Sequence, residues 1–165
     1  MASMQYNKEK LNTLLIEAAV AGNIENVKSL LTQGADVDAR NENGWTAMML
    51  AAEYRHLDIV KYLVDHGADI NLTTPFGETA TTIAARQGYF DIVKYLVDHG
   101  ADPSLKNNKG ETAAMVAIKN NHKDIADYLN SVMQFTEEII KSIDTGNRGS
   151  ALNPEMQGIL RKTQE

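Results

Sequence analysis

The chain has 165 residues, 43% of them hydrophobic and 23% charged, with a net charge of −6 and no cysteine. Such a length and composition suit one globular domain with a real core, and the missing cysteines exclude disulfide scaffolds, thiolate zinc sites and cysteine nucleophiles. The acidic balance also argues against a general nucleic-acid binder, because phosphate contacts need clustered Lys and Arg. Leu14, Leu15 and Ile16 form only a short apolar run broken by Glu17. Neither a signal peptide nor a membrane span is therefore expected.

In chain order, Thr13 is followed by "LLIEAA", which echoes "AMMLAA" after Thr46. The segment "TAMMLAAEY" at 46–54 opens on a residue suited to N-capping and continues through good helix formers. Breaks follow at Gly22, Arg55, Gly88 and Asn121, where a left-handed residue turns the chain back. Gly is free in that conformation and Asn tolerates it, whereas Arg55 departs at a cost of about 1 kcal/mol. A second helix in each unit opens on an acid, Glu25, Asp58, Asp91 or Asp124, which suits the positive end of the helix dipole. Ile59/Val60 and Leu63/Val64 mark one apolar face of that helix. Gly34, Gly67 and Gly100 then end it, and loops such as "ADINLTTPFGE", with Pro75 and Gly77 as turn formers, lead to the next unit.

These elements recur with one period. "DIVKYLVDHGAD" stands at 58–69 and again, letter for letter, at 91–102, while Thr46, Thr79 and Thr112 are 33 residues apart. Four units result, at about 5–37, 38–70, 71–103 and 104–133, and the outer two are degraded. Leu11 replaces the first unit's glycine, and Met133 replaces the Gly of "GAD" in the last. One unit cannot bury its apolar stripe alone, and stacking buries it continuously. The expected fold is an all-α solenoid of helix-turn-helix units with β-turn or hairpin-like loops and a C-terminal helical extension.

The 33-residue unit, the helix start after "G-x-T" and the "GADVDA", "GADINL" and "GADPSL" loops resemble the ankyrin repeat family over residues 5–133. One departure is systematic. The Pro and His of the family's "TPLH" are Ala47 and Met49, Ala80 and Thr82, and Ala113 and Met115. Pro at the first helical position is replaceable, but losing the His removes a hydrogen bond that family members use to brace neighbouring loops. The resemblance implies a protein partner on the concave face, at positions flanking "G-x-T" and late in each first helix. Three rows follow here. They are Arg40, Glu42, Asn43, Trp45, Glu53 and Tyr54; then Thr73, Pro75, Phe76, Glu78, Arg86 and Gln87; then Lys106, Asn108, Lys109, Glu111, Lys119 and Asn120. Trp45, Tyr54 and Phe76 are aromatic anchors of the kind that form binding hot spots, with local packing as the alternative for Trp45 and Phe76. Tyr62, Tyr95 and Tyr128 recur at the period and read as stack surface.

No chemistry emerges from the same residues. Equivalent positions in adjacent units lie roughly 10 Å apart, so His66 and His99 cannot share a metal ion at bonds of about 2 Å. They are placed to meet the last carbonyls of their helices instead. The recurring carboxylates read as caps and turn anchors, and no nucleophile-elbow, phosphate-loop or dinucleotide-binding glycine pattern is present. No enzyme activity, cofactor or metal is expected.

At the C-terminus, "DIADYLNSVMQFTEEIIKSI" either runs on as one helix or turns into an extra one covering the end of the stack. A flexible linker is expected near 144–152, then a helix opened by Asn153 as N-cap and Pro154 at N1. The reading is a non-enzymatic protein-interaction module, monomeric, without nucleic-acid or membrane partners, and intracellular, in the cytoplasm. The alternative is a structural or regulatory subunit that assembles through the extension at 134–165. The alternative location is a host cell into which the protein is delivered.

Overall fold

The computed structural model describes residues 2–144. Eight helices follow in order: α1 (Ala2–Ala21), α2 (Ile24–Thr32), α3 (Ala47–Glu53), α4 (Leu57–Asp65), α5 (Ala80–Gln87), α6 (Phe90–Asp98), α7 (Ala113–Lys119) and α8 (Lys123–Asp144). The chain divides into two compact units, Met1–Asn130 and Ser131–Glu165. Within the first, the odd-numbered helices α1, α3, α5 and α7 pack side by side as one layer, and α2, α4 and α6 form a second layer behind them.

Local chemistry sets each boundary. Thr46, Thr79 and Thr112 cap α3, α5 and α7, their hydroxyls accepting the N–H of Met49, Thr82 and Met115. Where the family's histidine is missing, Met49 completes the first of these caps: its sulfur accepts from Thr46 N at 3.4 Å. In the next unit the Thr79 and Thr82 hydroxyls pair at 3.1 Å. The expected left-handed breaks occur, with φ of 62° at Arg55 and 64° at Asn121. Arg55 holds its strained backbone with its guanidinium 5.4 Å from the Tyr89 ring centre. At Gly88 a Cβ would lie 2.5 Å from the His122 ring of the next unit, so a substitution there must displace that ring.

Burial follows the period. Ile59, Val60 and Leu63 in α4, and Ile92, Val93 and Leu96 in α6, are wholly buried. Ala51, Ala52, Ala84 and Ala85 of the first layer are wholly buried as well, and α3 packs on α4 as α5 does on α6. On the outer surface, Lys28, Lys61 and Lys94 each sit over a tyrosine ring one period and one residue later: Tyr62, Tyr95 and Tyr128, at 6.0, 5.4 and 5.7 Å.

Loops are braced across units even without the missing histidine. Asp38 accepts the N–H of Asp69 at 3.1 Å, and Asn71, its equivalent one unit on, accepts that of Asp102 at 2.9 Å. Burial, then the charges of Asp69 and Asp36, raise the Asp38 carboxyl above its ordinary value of 3.8, against the lowering effect of the Asp69 N–H. Asp38→Asn keeps the acceptor and removes the half-buried charge, so a small rise in melting temperature at pH 7 is expected. A carboxyl raised in the folded state gains folded stability from protonation as pH falls. The variant's advantage therefore exists above the raised pKa and disappears as pH drops through it towards 3.8, which melting curves between pH 7 and pH 3.5 would track.

The two ends depart from the internal units. Thr13 does not cap a short helix: α1 begins at Ala2, and the Thr13 hydroxyl donates to Glu9 O at 3.0 Å inside it. With Leu11 where later units have a glycine, nothing stops the helix there. At the far end, α8 runs on through Met133 to Asp144 as a single helix. Apart from Asp144, the linker expected near 144–152 and the helix opened by Asn153 and Pro154 lie outside the described residues.

Candidate partner-binding surface

Three hairpin tips precede the capped helices. In each, a residue 33 apart from its equivalents turns its side chain back onto two backbone N–H groups. Asn41 Oδ1 accepts from Asn43 and Trp45, Thr74 Oγ1 from Phe76 and Glu78, and Asn107 Oδ1 from Lys109 and Glu111, all within 2.9–3.3 Å. The same three residues close a backbone pair with Trp45, Glu78 and Glu111, each at 2.9 Å. Asn41, Thr74 and Asn107 stand outside the predicted rows, although their spacing is the signal that finds them. They fix where the row residues point.

Bracing between units holds the second tip. Asn108 donates from its backbone N–H to Phe76 O and from its amide to Pro75 O, both at 2.9 Å. Arg40 donates to Gly44 O at 2.7 Å and to Thr73 O at 2.8 Å, joining the first tip to the second. Arg40 and Thr73 are thus committed to the scaffold. Pinned this way, Phe76 still shows 67% of its surface. Tyr54 shows 53%, whereas Trp45 is half-buried beside its own cap.

Charges along the rows are partly spent on one another. Arg86 pairs with Glu78 and reaches Glu53 at 3.4 Å, and Gln87 donates to Glu53 at 2.8 Å. Lys119 pairs with Glu111, whose carboxyl is held below its usual range first by the Asn107 amide at 3.0 Å and then by Lys119. Glu42, Asn43, Lys106, Asn108 and Lys109 are exposed at or near the tips, and Asn120 is exposed at the end of α7.

Two grooves lie between the tips and the helices. One, of about 450 Å³, is bordered by Glu9, Asn12, Thr13, Ile16 and Glu17 of α1 and by residues 40–43. The other, of about 370 Å³, is bordered by Phe76, Glu78 and Arg86, by residues 107–109, and by Glu111, Val116, Lys119 and Asn120. The second groove joins half of the second predicted row to most of the third. The α1 wall of the first is absent from those rows, because the degraded first unit hides its period.

Three of the four histidines meet backbone carbonyls. His66 and His99 each donate from Nδ1 to the carbonyl of Tyr62 or Tyr95, at 2.8 and 2.7 Å, and stack on that same tyrosine ring. His56 Nε2 lies 3.1 Å from Val20 O. No helix among the described residues is long and apolar enough to cross a membrane.

Capped helix pairs, left-handed breaks and hairpin tips stacked at a constant period define a repeat solenoid. A family model of ankyrin repeats (3 copies) matches residues 2–74 and 71–136. An ankyrin repeat protein of Rickettsia felis is 47% identical over 53 residues, which cover 32% of this chain and 84% of that protein. The chain belongs to the ankyrin repeat family, whose members generally mediate protein–protein interaction and are typically non-enzymatic. Mitochondrial disaggregases are similar over shorter stretches: the Bos taurus protein is 58% identical over 38 residues and the Homo sapiens protein 49% over 49. Those stretches cover 23% and 28% of this chain but only 6% and 7% of the disaggregases, little more than one repeat unit.

Proposed function

We propose that this chain is a non-enzymatic interaction module that binds a protein segment across its hairpin tips and first-layer helices, with Phe76 as the principal anchor and Tyr54 beside it. The observation that carries the reading is Phe76: an aromatic ring 67% exposed on a loop whose backbone the next unit holds. An exposed aromatic on a fixed loop binds at little cost in conformational entropy. Trp45, Glu42, Asn43 and Gln87 flank these anchors. Lys106, Lys109, Glu111 and Lys119 extend the surface past Phe76, while Glu53, Glu78 and Arg86 act as one paired cluster between them.

Affinity capture from lysate with quantitative mass spectrometry, using the intact chain and the Tyr54→Ala/Phe76→Ala variant, tests this once circular dichroism shows both equally folded. A partner captured by the intact chain should be lost with the variant, and Phe76→Ala alone should weaken the purified complex about tenfold. Partners retained equally by both would place the site on the outer layer or in the segment after α8, and the reading would fail.

A further inference from the structure

The two grooves differ in charge. Around the first, Glu9, Glu17 and Glu42 are exposed and make no ion pair among the described residues, and the one guanidinium there, that of Arg40, is turned to backbone oxygens. Lys8 and Lys10 flank Glu9 in sequence but lie about 100° away from it around the α1 axis. Around the second, the carboxylates of Glu78 and Glu111 are already taken by Arg86 and Lys119. Lys109 borders that groove, Lys106 stands just before its tip, and both are exposed with no ion pair among the described residues. The basic end thus stands against a net charge of −6 for the whole chain. Phe76 lies on the basic groove.

From this arrangement we infer that the preferred ligand is an extended, dipolar peptide. It carries Lys or Arg at the α1 end, an apolar or aromatic side chain against Phe76, and Asp or Glu at the Lys106–Lys109 end. This rests on the reading of the tips and first layer as the binding face. The grooves belong to the first and last pairs of units, two steps apart, so the charged groups are separated by about 20 Å at roughly 10 Å per packed helix. An extended chain rising about 3.3 Å per residue covers that span in about six residues. Opposite potentials at the two ends select both the composition and the direction of the peptide, since the wrong direction sets like charges together.

The test uses the full chain and fluorescein-labelled synthetic peptides read by anisotropy. One is an extended peptide of about seven residues with two lysines first, a central phenylalanine and two aspartates last, glycines filling the remaining positions. Others are its reverse, a version with lysines at both ends and a version with aspartates at both ends. One of the two dipolar peptides should bind about tenfold more tightly than either uniform peptide, with the preference shrinking as salt is added. Lys106→Glu/Lys109→Glu should weaken that peptide about fivefold and make the doubly lysine-ended peptide the better ligand. Equal affinity for dipolar and uniform peptides, or no binding at millimolar concentration, overturns the proposal. Where affinities are equal, continued sensitivity to Phe76→Ala leaves the binding-face reading standing, and insensitivity removes that too.

Discussion

Replacing Leu96 with alanine is expected to lower the free energy of unfolding by about 3 kcal/mol, because the side chain is wholly buried and its neighbours are backbone-constrained. Leu96 belongs to the α6 stripe with Ile92 and Val93, all three fully covered. Its carbonyl also accepts the N–H of Ala101 at 2.9 Å, closing the turn that ends the helix. A cavity at this point therefore sits beside the structure that launches the next unit. In a solenoid each unit is stabilised by its neighbours, so loosening an internal unit weakens two interfaces. Leu63 occupies the same place in the identical twelve-residue segment and is equally buried. Leu63→Ala should therefore cost within about 1 kcal/mol of the same amount, the difference reporting only the neighbouring units. Urea unfolding with an unchanged m value would measure both. A loss below about 1 kcal/mol for either would show that the stripe is not the core that holds the stack.

The internal units were legible because each signal is local and recurs. A capping Thr, a left-handed break, an acid at the next helix start and a closing glycine stand within one period, so Arg55 and Asn121 were identifiable as break positions without a glycine, and both occupy the left-handed region. The ends were less legible for the opposite reason. A period projects internal boundaries onto units that lack a neighbour, and Leu11 in place of a glycine lets α1 start twelve residues earlier than the repeat implies, at Ala2 rather than Leu14.

The surface shows what the sequence withholds. Rows flanking the tips followed from the family resemblance. Which of their side chains are already engaged did not, because those contacts run between units: Arg40 to Thr73 O and Arg86 to Glu53 each span 33 residues. Long side chains can reach several partners, and sequence spacing does not choose among them. Asn41, Thr74 and Asn107 illustrate the reverse case. Their job is local and periodic, and only the variation between Asn and Thr obscures it.

Ala85→Ile is expected to cost about 3 kcal/mol, while the complementary change Ile118→Ala costs less than about 0.5. The two positions are equivalent, one period apart, with Ala52 one period earlier. Ala52 and Ala85 are wholly buried, whereas Ile118 is 58% exposed. The physical reason is the approach of the first-layer helices. α5 packs against α3 on one side and α7 on the other, and small residues let these axes come close. Three added carbons at 85 must push α7 away or force a strained rotamer. In α7 the same position is open, so branching is tolerated. Met115 repeats the pattern: it is 48% exposed, while its equivalents Met49 and Thr82 are buried. Thermal melting of the two variants measures the contrast. A cost above about 2 kcal/mol for Ile118→Ala would mean that this face is covered in solution, since an exposed isoleucine has too few contacts to lose that much.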